Sequence, residues 1–127
     1  MKKLLGFLSG CCEERNRYKQ FNLGNMYYNG QGVEQDYKQA VYWWQKSAEQ
    51  GFATAQYNLG FMYAKGQGLE QDFVKAYMWF NISAYSGYPD APIAKYNLSK
   101  LMTSEQIAEA LLMAREWVEK FEKRQKE

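Results

Sequence analysis

The feature that most constrains this chain is that it repeats itself. Residues 20–51 align with residues 56–87 at a shift of 36 without a gap, and 17 of the 32 positions are identical. The matched pairs include Asn22/Asn58, Leu23/Leu59, Gly24/Gly60, Met26/Met62, Asp36/Asp72, Trp43/Trp79 and Ser47/Ser83. A fixed period of this length marks stacked supersecondary units, each unable to bury its apolar face alone. Inside the unit the spacing is helical. Leu59, Met62 and Tyr63 fall at i, i+3 and i+4, and Ala40, Trp43, Trp44, Ser47 and Ala48 share one face of a second segment. The intervening residues 29–36 hold two glycines for a turn, and Asp36 is placed to cap the second helix. Gly51 and Gly87 stand where a left-handed C-terminal cap belongs. Small residues at Gly24, Ala40 and Ala48 predict close helix pairs, with Tyr27 and Trp43 filling the remaining space. The fold class that follows is all-α: a solenoid of stacked antiparallel helix pairs.

The ends depart from the period. Residues 94–102 echo residues 55–63 at a shift of 39, which makes a third, incomplete unit whose extra length falls around Pro89 to Pro92. Thr103 to Gln106 reads as a capping box opening a long helix, with Ile107, Leu111, Ala114, Val118 and Phe121 as its apolar stripe. The predicted organisation is an N-terminal leader or irregular segment over 1–15, repeats over 16–51 and 52–87, a degenerate half-repeat over 88–102, and a C-terminal capping helix over 103–127. Leu8-Ser9-Gly10-Cys11 resembles a bacterial lipoprotein box, in which Cys11 would be lipidated after cleavage. The apolar run before it, Leu4 to Gly10, is only seven residues, at the short end for an export signal. Three readings stay open: an exported lipoprotein, a short amphipathic leader on a cytoplasmic protein (the favoured compartment), and an altered start of a longer repeat protein. No stretch approaches the roughly 20 apolar residues a transmembrane helix needs.

Composition narrows the chemistry. The 127 residues contain no histidine, which removes the commonest general base and metal ligand. The two cysteines are adjacent, Cys11 and Cys12, and lack the two-residue gap of a zinc or redox pair. A formal charge of +2 with scattered basic residues predicts no nucleic-acid partner. Gly30-x-Gly32 and Gly66-x-Gly68 lack the third glycine of a dinucleotide fingerprint and follow helices. No catalytic residue, metal site or cofactor is predicted.

The run from Ala53-Thr54-Ala55 through Leu59-Gly60, Tyr63, Gly66-x-Gly68, Asp72, Lys75-Ala76, Trp79 and Ala84 to Gly87 resembles the Sel1-like repeat family, relatives of the tetratricopeptide repeats. The first copy keeps the pattern from Leu23 to Gly51 but carries Arg17 and Lys19 in place of its two alanines. The resemblance implies a superhelical scaffold, a bacterial source and a concave groove lined by the first helix of each unit. In the related repeats an asparagine just before Leu-Gly often bonds the backbone of an extended peptide, and Asn22, Asn58 and Asn97 match that position. A carboxamide offers donor and acceptor together. One turn on, Asn25, Phe61, Tyr28 and Lys65 complete the expected wall.

The function expected is a non-enzymatic protein-interaction scaffold, monomeric or weakly homo-oligomeric, that binds a peptide or partner protein on this surface. Two alternatives remain at this level. Some cysteine-rich relatives are linked to β-lactam binding or hydrolysis, although the regularly spaced cysteine pairs of those relatives are missing here. The chain also reads as a fragment of a longer solenoid, since fewer than three full repeats are at the edge of independent stability.

Overall fold

The computed structural model describes the backbone of residues 2–126 and the side chains of residues 15–126. Six helices follow one another: α1 (Lys2–Asn29), α2 (Tyr37–Glu49), α3 (Ala53–Lys65), α4 (Phe73–Tyr85), α5 (Ala91–Ser99) and α6 (Ser104–Lys126), with no strand among the described residues. Each helix packs on the next through α5, and α6 turns back to lie on α4. The result is an α-solenoid in which α1/α2 and α3/α4 are the two repeated pairs. Helical backbone runs through residues 2–15, the stretch read from sequence as a leader or irregular segment. Cys11, the lipidation candidate, lies outside the residues whose side chains are described.

The repeated polar residues each close the same local hydrogen bonds twice. Asp36 sits in extended backbone and its carboxylate accepts from the Lys38 and Gln39 amides at 2.9 and 3.2 Å; Asp72 accepts from the Lys75 amide at 3.1 Å. These caps satisfy donors that a helix start leaves free. Gln35 Nε2 donates to the Tyr28 carbonyl at 2.9 Å and Gln71 Nε2 to the Ala64 carbonyl at 2.8 Å, closing the far ends of α1 and α3. Ser47 Oγ donates to the Arg17 carbonyl at 2.7 Å and Ser83 Oγ to the Ala53 carbonyl at 2.8 Å. The second helix of each pair is thereby tied to the first.

Close packing rests on glycine within the first helices. A Cβ at Gly24 would stand 2.3 Å from the Trp44 ring, and one at Gly60 would stand 2.7 Å from the Phe80 ring. Trp44 is 3% exposed, and its indole Nε1 donates to the Phe21 carbonyl at 3.2 Å. The filling residue predicted for this space was Trp43, one position earlier. Trp43 is instead half-buried, while its repeat partner Trp79 is buried edge-on against Trp117 of α6, with ring centroids 5.7 Å apart. The contacts between helices of one pair thus fall to positions 44 and 80, where the two repeats differ.

The capping box forms as the sequence predicts. The Thr103 amide donates to Gln106 Oε1 at 2.9 Å and the Gln106 amide donates to Thr103 Oγ1 at 3.1 Å. The apolar face of α6 is rotated from the expected stripe. Ala110 and Ala114 are fully buried and Ile107, Trp117, Val118 and Phe121 are half-buried, but Leu111 is 42% exposed. Two alanines at the contact let α6 lie close on α4, and a leucine at either position would hold the helices apart. Farther along, Trp117 Nε1 donates to Glu49 Oε2 at 3.0 Å, Arg124 donates to the Glu49 carbonyl at 3.1 Å, and the Phe121 ring covers Gly51. One helix therefore spans both repeated pairs.

Candidate functional site

Packing α2 between α1 and α3 leaves the two first helices facing a common groove of about 380 Å³. Asn25, Tyr28 and Asn29 line it from the end of α1, and Asn58, Phe61, Met62 and Lys65 from α3. Trp44 of α2 and Gln67 of the following loop complete the lining. Its size is within the range of pockets that hold small ligands or a few side chains, roughly 300–1,000 Å³.

The aromatic part of the groove is held from behind. Tyr28 packs on Trp44 and Tyr37, with centroids 5.3 and 5.2 Å away, and Phe61 packs edge-on to Phe80 at 5.2 Å and Tyr57 at 4.9 Å. Burial, then the neighbouring Tyr88 and Asp90, push the Tyr57 phenol above its ordinary value of 10.0. The phenol stays neutral behind Phe61. Such rings lose little freedom when a ligand settles on them.

The polar part is unpaired within the protein. Among the described residues, the side chains of Asn25, Asn29, Asn58 and Gln67 make no hydrogen bond. Lys65 Nζ stands 5.4 Å over the Phe61 ring and makes no ion pair with a described carboxylate. Three of the backbone carbonyls nearby are already taken. Gln35 and Gln71 bond those of Tyr28 and Ala64, and the Gly66 and Gln67 amides bond that of Met62. What the groove offers a ligand is therefore four carboxamides, one ammonium and an aromatic floor.

Of the residues marked from sequence, Asn25, Tyr28, Asn58, Phe61 and Lys65 come together in this lining. Asn22 and Asn97 lie outside it, both exposed, on α1 and α5. Asn29, Trp44, Met62 and Gln67 were missed. A signal existed for Asn29, because the 36-residue shift pairs it with Lys65. Nothing in the spacing marks Trp44 as both a core residue and a groove wall. Among the described residues no three Cys, Asp or Glu side chains gather into a metal-binding group. No helix among them is long and apolar enough to cross a membrane.

Comparison with known proteins agrees with this architecture. Residues 20–52 and 53–88 each match the Sel1 repeat. Among solved structures, the chain is similar to a protective antigen with an SLR fold from uropathogenic Escherichia coli. That match has a TM-score of 0.80 and 34% identity over 86% of this chain and 24% of the antigen. It is also similar to a Sel1 repeat protein from Oxalobacter formigenes, with a TM-score of 0.64 and 38% identity over 67% of this chain and 35% of that one. The chain thus spans about a quarter and about a third of these two structures. No curated protein matches it. Sel1 repeats generally serve protein interaction. With two consecutive repeats covering more than half of its length, the chain belongs to the Sel1 repeat family.

Proposed function

We propose that this protein is a non-enzymatic interaction scaffold whose groove between α1 and α3 takes a peptide segment of a partner protein. The observation that carries this reading is the set of carboxamides at Asn25, Asn29, Asn58 and Gln67, none bonded within the described protein, around the aromatic floor of Tyr28 and Trp44. A peptide unit needs a donor and an acceptor side by side, and a carboxamide supplies both whatever the peptide's side chains are. No neighbouring carboxylate, imidazole or thiol in the lining would activate a nucleophile.

The test uses a double variant, Asn25→Ala with Asn58→Ala, because neither side chain holds the fold together. Partner protein captured from the native host by the wild type should fall several-fold with the variant, while the melting temperature stays within about 2 °C, the scale of a surface substitution. Equal capture by wild type and variant would show that the groove does not hold the partner.

A further inference from the structure

The two walls of the groove are not copies of each other. At the 36-residue shift Asn25 becomes Phe61, Tyr28 becomes Ala64 and Asn29 becomes Lys65, although Asn22, Leu23, Gly24, Met26 and Tyr27 around them all repeat. Asn25, Tyr28, Asn29, Phe61 and Lys65, all at changed positions, line the groove beside the repeated Asn58, Met62 and Gln67. One wall is neutral and carboxamide-rich, and the other carries a ring and the groove's single charge.

Resting on the peptide-binding reading, we infer that the bound segment carries an acidic side chain next to an apolar one. Its carboxylate meets Lys65, and the apolar side chain lies on Tyr28 and Phe61. No Asp or Glu is in the lining, and Lys65 has no carboxylate partner among the described residues. Lys65 is the one charged residue of the lining, and the complement of an ammonium is an anion. The ring of Phe61 holds the ammonium at the groove edge, and a cation over an aromatic face keeps a side free for a second partner. A cation in the last turn of α3 is also favoured by the helix itself. That purely structural role would move stability and leave ligand preference untouched, so the test reads preference.

The probes are short fluorescein-labelled peptides, blocked at both ends, with a central Leu-Glu-Leu, Leu-Gln-Leu or Leu-Lys-Leu, titrated by anisotropy against the full chain. A fourth probe carries Leu-Gln-Leu with a free C-terminal carboxylate. At low salt the Glu peptide should bind about fivefold more tightly than the Gln peptide, the scale of one exposed ion pair, and the Lys peptide more weakly still. Raising the salt to about 1 M should close the gap. Lys65→Gln should abolish the preference for the Glu over the Gln peptide, and Lys65→Arg should retain it. Equal binding of the three blocked peptides overturns the acidic preference but leaves the groove reading standing. Preference only for the free C-terminus overturns an internal acidic residue as the ligand. Binding of none of them overturns both this inference and the groove reading.

Discussion

At the residue scale, glycine does opposite things in the same helix depending on what faces it. An exposed helical glycine replaced by alanine ordinarily gains about 1 kcal/mol from reduced backbone freedom. At Gly60 the added methyl would meet the Phe80 ring at 2.7 Å and the Ala76 carbonyl at 3.3 Å. Gly60→Ala should therefore destabilise by about 1–3 kcal/mol through overpacking, read as a lower midpoint in urea with an unchanged slope. A stabilised Gly60→Ala would show that the ring moves aside freely and that glycine is not needed there. The sequence already marked Gly24, whose repeat partner is Gly60, as a point of close approach. It pointed to Trp43 for the facing ring because that residue repeats, whereas the ring that fills the space is Trp44 in one unit and Phe80 in the other. Neighbouring positions on a helix differ by about 100°, and two tryptophans in a row give no means of choosing between them. The groove shows the same limit. Asn58 and Phe61 were expected because the resemblance to the related repeats marks the first helix of each unit as the groove wall, while Gln67 belongs to a loop whose path the sequence pattern does not set.

At the scale of the element, α6 shows how far periodicity reaches. Its start was legible to the residue, because a capping box is a local arrangement of Thr103 and Gln106 that needs no tertiary partner. Its buried face was not, because an apolar stripe containing leucine and alanine is ambiguous until the facing helix is known. Two predictions separate the expected stripe from the observed one. Ala114→Leu, at a fully buried position against α4, should cost about 1–3 kcal/mol. Leu111→Ala, at an exposed position, should change stability by no more than about 0.5 kcal/mol. Chemical denaturation of the two variants measures both, and the reversed order would restore Leu111 to the contact. Thr103→Ala removes one half of the box and should cost about 1 kcal/mol. The link from Trp117 and Arg124 to Glu49 also means that α6 reports on both repeated pairs. Its hydrogen-exchange protection should fall together with that of α2 and α4 as one cooperative block.

At the scale of the molecule, the absence of histidine sets the response to pH. No histidine titrates in this chain, so the melting temperature should be nearly flat between about pH 6 and pH 8. The phenols of Tyr57 and Tyr77 are raised above their ordinary 10.0, chiefly by burial. A phenol with a higher folded than unfolded value holds its proton more tightly in the native state. Its contribution is complete below about pH 10 and is lost as pH rises through the folded value. The melting temperature should therefore fall above about pH 10, and Tyr57→Phe should lessen that fall. The solenoid class and its two repeats were readable from the sequence because a repeat must stack on its copy. The direction of α6 was not, since a helix after an incomplete unit can pack on α5 or fold back on α4, and only the shapes of the surfaces decide.

The proposed scaffold role stands or falls on whether the groove between α1 and α3 takes a peptide. The most direct measurement is a two-dimensional amide NMR titration with the blocked Leu-Glu-Leu peptide, following the side-chain amide signals of Asn25, Asn29, Asn58 and Gln67. These four signals should move together and saturate at one peptide per chain. Shifts confined to α5 or α6, with the four carboxamides unmoved, would contradict it.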